Sequence, residues 1–460
     1  MRRLSALPAP LIYAAAMAWT KGLAMLSVPL LTARLAPAEF GRLDLLASAA
    51  EIGGLIAGAG LVDTLYRFAA AADGRAQAGR VMGLALAVAA IGLLVVMLGA
   101  DAVASSMPLP TPPNEIRLLG AAVVLEAVIG VPLGWLRMHG RAWQFALLTG
   151  ARATLQVGLM TALVLGGWGV GGVLAAGAVA GLLLASALTA GQARTTGIGF
   201  DRAASLRMLG YGIPLVGSGL AAFVLGTADR WLLAGAVPAD ALGCYGLAVK
   251  IAMIVALLAQ PFELWWYPRR LAVLAEPDGR ARSSRVVAAG AALLMLAGGA
   301  VALAGPTLVS LLAPAAYAPA GRMVPLLALA LVLQLASSMA NVGCYARRTG
   351  TQPLAVNTAA AGVALALYLL LIPRFGVDGA IAATVAAQAA RLALFAALSQ
   401  HTAPLDWPLP RLGAVAATTV LAVAAGGPIG GATLGLAGLL AVALGLVPLS
   451  GFARPALATA

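Results

Sequence analysis

Five basic residues lie inside stretches of sequence that are otherwise apolar: Lys21, Arg152, Arg230, Lys250 and Arg391. A cation at the centre of a bilayer costs at least about 2.5–3.5 kcal/mol on insertion scales, so such residues face a wet cavity or a carboxylate. Fixed positive charge in a medium of low dielectric constant also attracts an anion far more strongly than it does in water. These residues therefore predict the binding of an anionic substrate within the membrane.

Carboxylates in the same stretches offer a competing explanation, because they could neutralise those cations. Glu126 and Arg152 each lie about ten residues into neighbouring predicted helices, which places both near the midplane and predicts a direct ion pair. Lys21 could pair with Glu51 or Glu126 and fix helix packing. A carboxylate held among cations is also how a proton or sodium site could be built. Structural pairing and ion coupling both stay open for these acids.

Two further acids precede arginines toward the ends of predicted helices. Asp229 is adjacent to Arg230, and the two could form an interfacial pair near the outer surface. Asp63 is four residues before Arg67, the spacing that brings two side chains together on one helix face. Asp229 and Asp63 are thus candidates for pairing or for ion coupling.

The elements that carry these residues are predicted to be membrane-spanning helices. The chain is 62% hydrophobic and 10% charged, with a mean hydropathy of +0.97, which excludes a water-soluble globular protein. About fourteen apolar stretches are each roughly twenty residues long, enough for a helix to cross a bilayer core. They predict helices near 9–34, 44–70, 81–106, 116–137, 143–165, 172–192, 208–236, 243–268, 286–313, 322–346, 353–372, 378–398, 411–427 and 431–450.

The other basic residues predict the orientation of these helices. If the N-terminus is cytoplasmic, nineteen of the 29 basic residues lie in inner loops or at the termini, Arg269 and Arg270 among them. The outer loops hold only Arg34, Arg42, Arg117, Arg322 and Arg374. This bias follows the positive-inside rule and predicts that both termini are cytoplasmic. The net charge of +13 is then a matter of topology and does not indicate a nucleic acid partner.

Two short segments of the first half recur in the second. LAPAEFG (35–41) matches VPADALG (237–243), and WGVGGVLAA (168–176) matches FGVDGAIAA (375–383). The offsets are 201 positions from Pro37 to Pro238 and 207 from Gly169 to Gly376, as a duplicated six-helix unit would give. We predict an all-α membrane protein with two parallel-repeat lobes, residues 1–200 and 201–400, and two accessory helices in 401–460.

The sequence contains no arrangement typical of an enzyme. No metal-ligand cluster, Ser/His/Asp set, nucleotide-binding loop or pair of hydrolase carboxylates can be found, so neither a metal nor a cofactor is predicted. A membrane O-antigen ligase, polymerase or glycosyltransferase would act through a sizeable outer loop with polar catalytic groups. The longest outer loop, SSMPLPTPPNE, has one carboxylate and no histidine. We therefore expect a transporter.

Three segments resemble the polysaccharide transporter, or oligosaccharide flippase, family. They are KGLAMLSVPLLTARLAPAEFGRLDLL (21–46), GLVDTLYRF (60–68) and ADRWLLAGAVPADALGCYGLAVKI (228–251). The shared pattern is a basic residue in helix 1, a Pro-x-x-(Tyr/Phe)-Gly turn, Asp-Arg in helix 7 and Gly-x-Tyr-x-x-Ala-x-Lys opening helix 8. These are the Wzx-type members of the multidrug/oligosaccharidyl-lipid/polysaccharide (MOP) superfamily. The similarity spans both halves but does not include the last two helices.

The resemblance implies a flippase that moves an undecaprenyl-pyrophosphate-linked oligosaccharide across the bacterial inner membrane for O-antigen or exopolysaccharide synthesis. It implies alternating access through a cationic cavity coupled to a proton or sodium ion, with a polysaccharide polymerase and glycosyltransferases as pathway partners. Lys21, Arg230 and Lys250 match the family pattern. Arg152 and Arg391 are included only because of their intramembrane placement.

A multidrug extrusion antiporter of the same superfamily is the alternative. Such a transporter selects organic cations, so its cavity should be acidic and aromatic. The intramembrane acids, which include Glu51, Asp63, Glu126 and Asp229, are as numerous as the intramembrane cations. Counting charges therefore does not separate the two functions.

Overall fold

The computed structural model describes residues 9–70, 73–346 and 351–425, and within these ranges every regular element is helical. Eleven segments of the described chain are long and apolar enough to cross a membrane. The last of them, Thr351–Thr402, holds two helices because Gly376 interrupts it with a non-helical φ of 54°. The predicted all-α membrane fold is confirmed. Fourteen helices remain compatible with it, although the predicted helix at 431–450 lies outside the described residues.

Contacts divide the chain into two compact units, Met1–Gly243 and Cys244–Ala460. The helices described in the first unit are α1 (Ala9–Leu26), α2 (Val28–Arg34), α3 (Pro37–Gly58), α4 (Leu61–Phe68), α5 (Gly74–Ser106), α6 (Pro113–Met138), α7 (Ala142–Leu165), α8 (Gly169–Thr195), α9 (Arg202–Gly226) and α10 (Asp229–Ala234). The division falls within the next helix, α11 (Ala239–Ala252).

In the first unit, α6 packs against α3, α5 and α8, and α7 packs against α1 and α8. Apolar side chains such as Leu65, Met82 and Ile129 form the core. α9 and the short α10 also belong here, because α9 packs against α3, α4 and α5 and α10 packs against α3. The spatial division therefore comes after the helix that was expected to open the second lobe, and the lobe boundaries at 200 and 400 stay a prediction.

The helices described in the second unit, after α11, are α12 (Ile254–Trp266), α13 (Arg270–Leu274), α14 (Gly279–Leu312), α15 (Pro319–Ala340), α16 (Val342–Ala346), α17 (Thr351–Thr402) and α18 (Leu409–Ala425). α15 packs against α14 and α17, and α18 packs against α14. The short α13 contacts α14 and α16, and α12 contacts α14 and α15.

Several helices that were expected to be continuous are interrupted. The breaks fall at Ser27, at Ala59–Gly60, at Thr227–Ala228, at Met253 and at Asn341. At the first break, Pro29 lacks an N–H and the Ser27 hydroxyl donates to the Ala24 carbonyl at 2.7 Å. At the second, Ala59 and Gly60 both have positive φ, which ends α3. These breaks are local backbone events that an apolar run of uniform length does not reveal.

The same backbone features recur at the spacing of the sequence repeat. α2 begins at Val28 and α10 at Asp229, 201 positions later, each directly after a break in a longer helix. Gly169 and Gly376 have φ of 53° and 54°, a conformation that glycine adopts without a Cβ penalty. The two copies thus share details of local backbone geometry as well as sequence.

Glycines also allow backbones to touch within the first unit. A Cβ placed on Gly60 would lie 2.7 Å from the Cα of Gly212 in α9. A Cβ on Gly41 would lie 2.7 Å from the Ala239 carbonyl oxygen and 2.8 Å from the Gly243 nitrogen. Contacts between main-chain atoms therefore hold α4 against α9 and α3 against α11.

Candidate functional site

Arg230 lies in a buried cluster with two carboxylates in the first unit. Its Nε donates to Asp44 Oδ2 at 2.7 Å, and its Nη1 donates to Asp229 Oδ1 at 3.1 Å. The Asp229 carboxylate also accepts from the backbone N–H of Arg230 at 2.9 Å, which fixes the start of α10. All three side chains are buried, with 8% of Arg230 exposed. The two carboxylates offset the charge of Arg230 and join α10 to α3.

Asp44 is a functional candidate that the sequence reasoning missed. It is the first residue of the helix predicted at 44–70 and was not counted among the intramembrane acids. The structure begins that helix at Pro37, where the Glu39 carboxylate accepts from the Ala36 N–H at 3.1 Å, so Asp44 lies about two turns inside α3. The proline, with a carboxylate two residues later, is the signal that could have placed this start correctly.

Arg152 and Glu126 form the ion pair that their positions predicted. Both guanidinium Nη atoms donate to the two carboxylate oxygens of Glu126, and the Nη1–Oε2 distance is 3.1 Å. This bidentate geometry joins α7 to α6. The Glu126 side chain is 48% exposed, so the pair is accessible from outside the first unit's core. Whether it contributes to ion coupling stays a prediction.

Lys21 is exposed on α1, twelve residues or about 18 Å from the start of that helix. Two residues before it, the Trp19 indole donates to the Thr154 hydroxyl at 3.1 Å and joins α1 to α7. Among the described residues, no carboxylate lies within ion-pair distance of Lys21. Its expected alternative partners are engaged elsewhere, since Glu126 binds Arg152 and Glu51 accepts from the Thr227 hydroxyl at 2.8 Å.

The expected pair between Asp63 and Arg67 does not form. Arg67 stacks over the ring of Tyr211 in α9 instead, with its Cζ 4.7 Å from the ring centroid. In the described part of the chain, Asp63 is exposed on α4 and has no ion pair. The two residues have the spacing of one helix face, but the Arg67 guanidinium stacks on the aromatic ring of Tyr211 instead.

In the second unit, the predicted cations Lys250 and Arg391 are both partly buried. Lys250 lies on α11, three residues before the break at Met253. Arg391 lies in the second arm of α17 and donates from Nε to the Asn357 side-chain oxygen in the first arm at 2.9 Å. Its guanidinium also stacks over Phe395, 5.5 Å from the ring centroid. The partners described for Arg391 are thus neutral.

A second arginine of this unit, Arg270, was expected in a cytoplasmic loop but is only 3% exposed. Its guanidinium lies between two rings, 3.7 Å from the centroid of Tyr267 and 4.4 Å from that of Tyr345. Its Nη1 donates to the Asn341 side-chain oxygen at 2.8 Å. The ring of Tyr267, the residue that follows α12, therefore covers a buried cation. A loop arginine beside a tyrosine gives no sequence signal of burial.

Comparison with protein families matches residues 11–269, more than half of the chain, to the family described as polysaccharide biosynthesis protein. Comparison with curated protein sequences found no match. Among solved structures, the fold is similar to the lipid II flippase MurJ in an inward closed conformation, with a TM-score of 0.75 and 8% identity. That match covers 94% of this chain and 97% of MurJ.

Other solved structures with a similar fold are also transporters. An inward-facing multidrug resistance MATE family transporter of the MOP superfamily has a TM-score of 0.60 and 16% identity, over 86% of this chain and 95% of its own. The MATE multidrug transporter DinF-BH has a TM-score of 0.59 and 15% identity, over 86% of this chain and 96% of its own. At these identities the likeness is one of fold.

Proposed function

We propose that this chain, which belongs to the polysaccharide biosynthesis protein family of the MOP superfamily, is a flippase for a lipid-linked oligosaccharide. The proposed substrate is an undecaprenyl-pyrophosphate-linked unit, moved from the inner to the outer leaflet of the bacterial inner membrane for O-antigen or exopolysaccharide synthesis. Glycosyltransferases of the pathway would supply it, and a polysaccharide polymerase would consume it. Family membership and the likeness in fold to a lipid II flippase support this proposal.

The observation that carries the proposal is Lys21. Its ammonium lies within an apolar span, is exposed, and has no carboxylate partner among the described residues. Such a charge is costly in a bilayer unless an anion or water faces it. A pyrophosphate with acidic sugars is an anion of that kind, and it would be attracted strongly because the surroundings have a low dielectric constant. We propose Lys21 and Lys250 as substrate ligands in an alternating-access cycle.

Arg230 has a different place in the proposed mechanism. Its two carboxylate partners already offset its charge, so it would act on substrate only if those contacts opened during transport. The exposed Arg152–Glu126 pair is the better candidate for coupling to a proton, because protonation of Glu126 would release the guanidinium. Coupling to a proton or sodium ion at this pair, with Glu51 and Asp63 as secondary candidates, belongs to the same proposal.

The first prediction tests Lys21 by substitution. Lys21→Ala should abolish surface polysaccharide, Lys21→Arg should retain part of it because charge survives, and Lys21→Glu should be worse than alanine because it repels the anion. The measurement is surface glycan together with the amount of protein in the membrane. Arg34→Ala is the matched control, since Arg34 is an exposed cation in the last turn of α2.

Full export by Lys21→Ala at normal protein level would overturn the proposal that Lys21 presents its charge to the anionic substrate. A second assay measures transport of an organic cation such as ethidium. Transport that is unchanged in Lys21→Ala but lost in Glu126→Gln would instead favour multidrug extrusion. That alternative draws on the exposed carboxylates of Glu51, Asp63 and Glu126 and on the likeness in fold to MATE transporters.

A further inference from the structure

One buried and one half-buried cation of the second unit have no acidic partner. Arg270 and Arg391 are held by aromatic rings and side-chain amides, and no carboxylate lies within ion-pair distance of either among the described residues. All 16 acidic residues of the chain fall within the described ranges, so none is missing from this comparison. A charge shielded from water without a counter-ion is costly, and an anionic ligand would remove that cost.

Tyr345 links the two guanidinium groups. Its ring stacks on Arg270 at 4.4 Å, and it packs against the small cluster that contains Phe395, over which Arg391 stacks. The phenol of a tyrosine is protonated near neutral pH, so it does not supply negative charge. The result is a group of two cations around one neutral ring at the end of α16. Two neighbouring charges of the same sign fit a ligand with more than one negative charge.

An apolar cavity of about 210 Å³ lies beside this group in the same unit. It lies between α12, α14 and α15, and all of its lining residues are apolar. The lining includes Leu258, Phe262, Gly290, Leu293, Ala297 and Met339. Leu258 is 52% exposed and Leu293 is 47% exposed, so the cavity reaches the surface of membrane-spanning helices. A hydrocarbon chain could therefore enter it from the bilayer.

The cavity and Arg270 share one stretch of α15. Met339 lines the cavity, whereas the Ser338 carbonyl and the Asn341 side chain, on either side of it, accept from Arg270 at 3.4 and 2.8 Å. Gly290 lies eleven residues, or about 16 Å, from the start of α14, so the cavity extends from the cation end toward the membrane interior. This is the arrangement that a lipid with an anionic headgroup requires.

We propose that this site binds the diphosphate and the first isoprenoid units of a polyprenyl diphosphate lipid, with Arg270 and Arg391 on the headgroup and the cavity around the chain. Two cations match a diphosphate better than the single negative charge of a phosphodiester. One narrow cavity matches a single polyprenyl chain better than the two acyl chains of a phospholipid. The proposal deepens the flippase function and rests on it, because it assigns a subsite to that substrate.

Binding of geranylgeranyl diphosphate to the full-length protein in detergent micelles tests the site. Arg391→Gln should weaken binding by about tenfold, because it removes a charge-assisted contact. Ala297→Phe should also weaken it by about tenfold, by filling the cavity. Arg282→Gln, which alters an exposed cation paired with Glu276, and Leu311→Phe, an exposed position on the same α14, should bind as the wild type does.

Inorganic pyrophosphate separates the two halves of the site. Pyrophosphate should bind Arg391→Gln more weakly than it binds the wild type. It should bind Ala297→Phe as tightly as the wild type, because it has no hydrocarbon chain to enter the cavity. Arg270→Gln should repeat the Arg391→Gln result, and a failure of that buried variant to fold leaves the other variants decisive. Wild-type affinity in both Arg391→Gln and Ala297→Phe would overturn the proposal. Equal competition by phosphatidylglycerol would also overturn it and assign the site to bilayer lipid.

The outcome is distinguishable from failure of the proposed transport function. If export depends on Lys21 but both variants bind the probe normally, only this inference fails. If export is normal in Lys21→Ala while Arg391→Gln and Ala297→Phe lose the probe, the substrate role proposed for Lys21 fails and the lipid diphosphate site remains.

Discussion

The arginines shielded from water in the two units are held by different kinds of partner. In the first unit, Arg230 faces Asp44 and Asp229, and Arg152 faces Glu126. In the second, Arg270 faces two tyrosine rings and an amide, and Arg391 faces Asn357 and a phenylalanine ring. An ion pair offsets its own charge and ties helices together, whereas rings and amides position a cation without neutralising it.

This difference shows why intramembrane position alone does not identify a substrate ligand. Arg152, Arg230 and Arg391 all lie in apolar stretches, and that placement alone made each of them a candidate. Their partners separate them, because the first two are bound to carboxylates and the third is not. The local backbone of the two repeats is nevertheless alike, so duplication kept the scaffold while the charges diverged.

The largest effect is expected from removing the cation of the Arg230 cluster. Arg230→Met removes the guanidinium that binds the buried carboxylates of Asp44 and Asp229, which should cost about 3–5 kcal/mol of stability. Thermal unfolding of the purified protein in detergent micelles measures this loss. Adding Asp44→Asn to Arg230→Met should recover part of it, because one of the two buried carboxylates that Arg230 bound is removed. A loss below about 1 kcal/mol would contradict the view that this cluster is structural.

An intermediate and equal effect is expected from the two matched glycines. Gly169→Ala and Gly376→Ala place a Cβ on residues with φ of 53° and 54°, a backbone conformation that L side chains rarely adopt, which costs at least about 1–2 kcal/mol at each position. Gly171→Ala is the control, because Gly171 is helical and no atom lies within 4 Å of a Cβ there. It should be neutral or slightly stabilising. A large difference between the losses at 169 and 376 would break the correspondence between the repeats.

The smallest effect on stability is expected from Arg391→Gln. Glutamine leaves no carboxylate stranded and can still donate to Asn357, so the loss should stay below about 1 kcal/mol. The measurement is the same unfolding experiment, with Arg230→Met as reference. A loss as large as that of Arg230→Met would mean that Arg391 serves the fold, and would erase the contrast between the units.

Hydrophobicity and repeats were sufficient to predict the all-α membrane fold, because span length follows directly from bilayer thickness. The Arg152–Glu126 pair was also predictable, since depth along two neighbouring helices fixes which side chains can meet. The Gly169 and Gly376 turns were matched from short segments of similar sequence. Each of these depends on local pattern or on distance along a helix.

The rest depends on contacts between segments far apart in sequence. Asp44 and Arg230 are separated by 186 positions, and no periodicity in either helix indicates that they meet. The burial of Arg270 depends on Tyr345 and Asn341, which arrive from another part of the chain. The pair expected between Asp63 and Arg67 was wrong for the same reason, because Tyr211 approaches from α9. Sequence spacing gives the faces of a helix but not its neighbours.

The glycine contacts of α3 and α4 have a consequence for the entropy of the first unit. At Gly60 with Gly212, and at Gly41 with Gly243, main-chain atoms meet without any side chain between them. Most helix contacts immobilise side chains, which costs up to about 2 kcal/mol for each long one, whereas glycine has no rotamers to lose. The separation of these segments is therefore set by van der Waals radii of the backbone, and forming or parting the contact changes no side-chain freedom at these four positions.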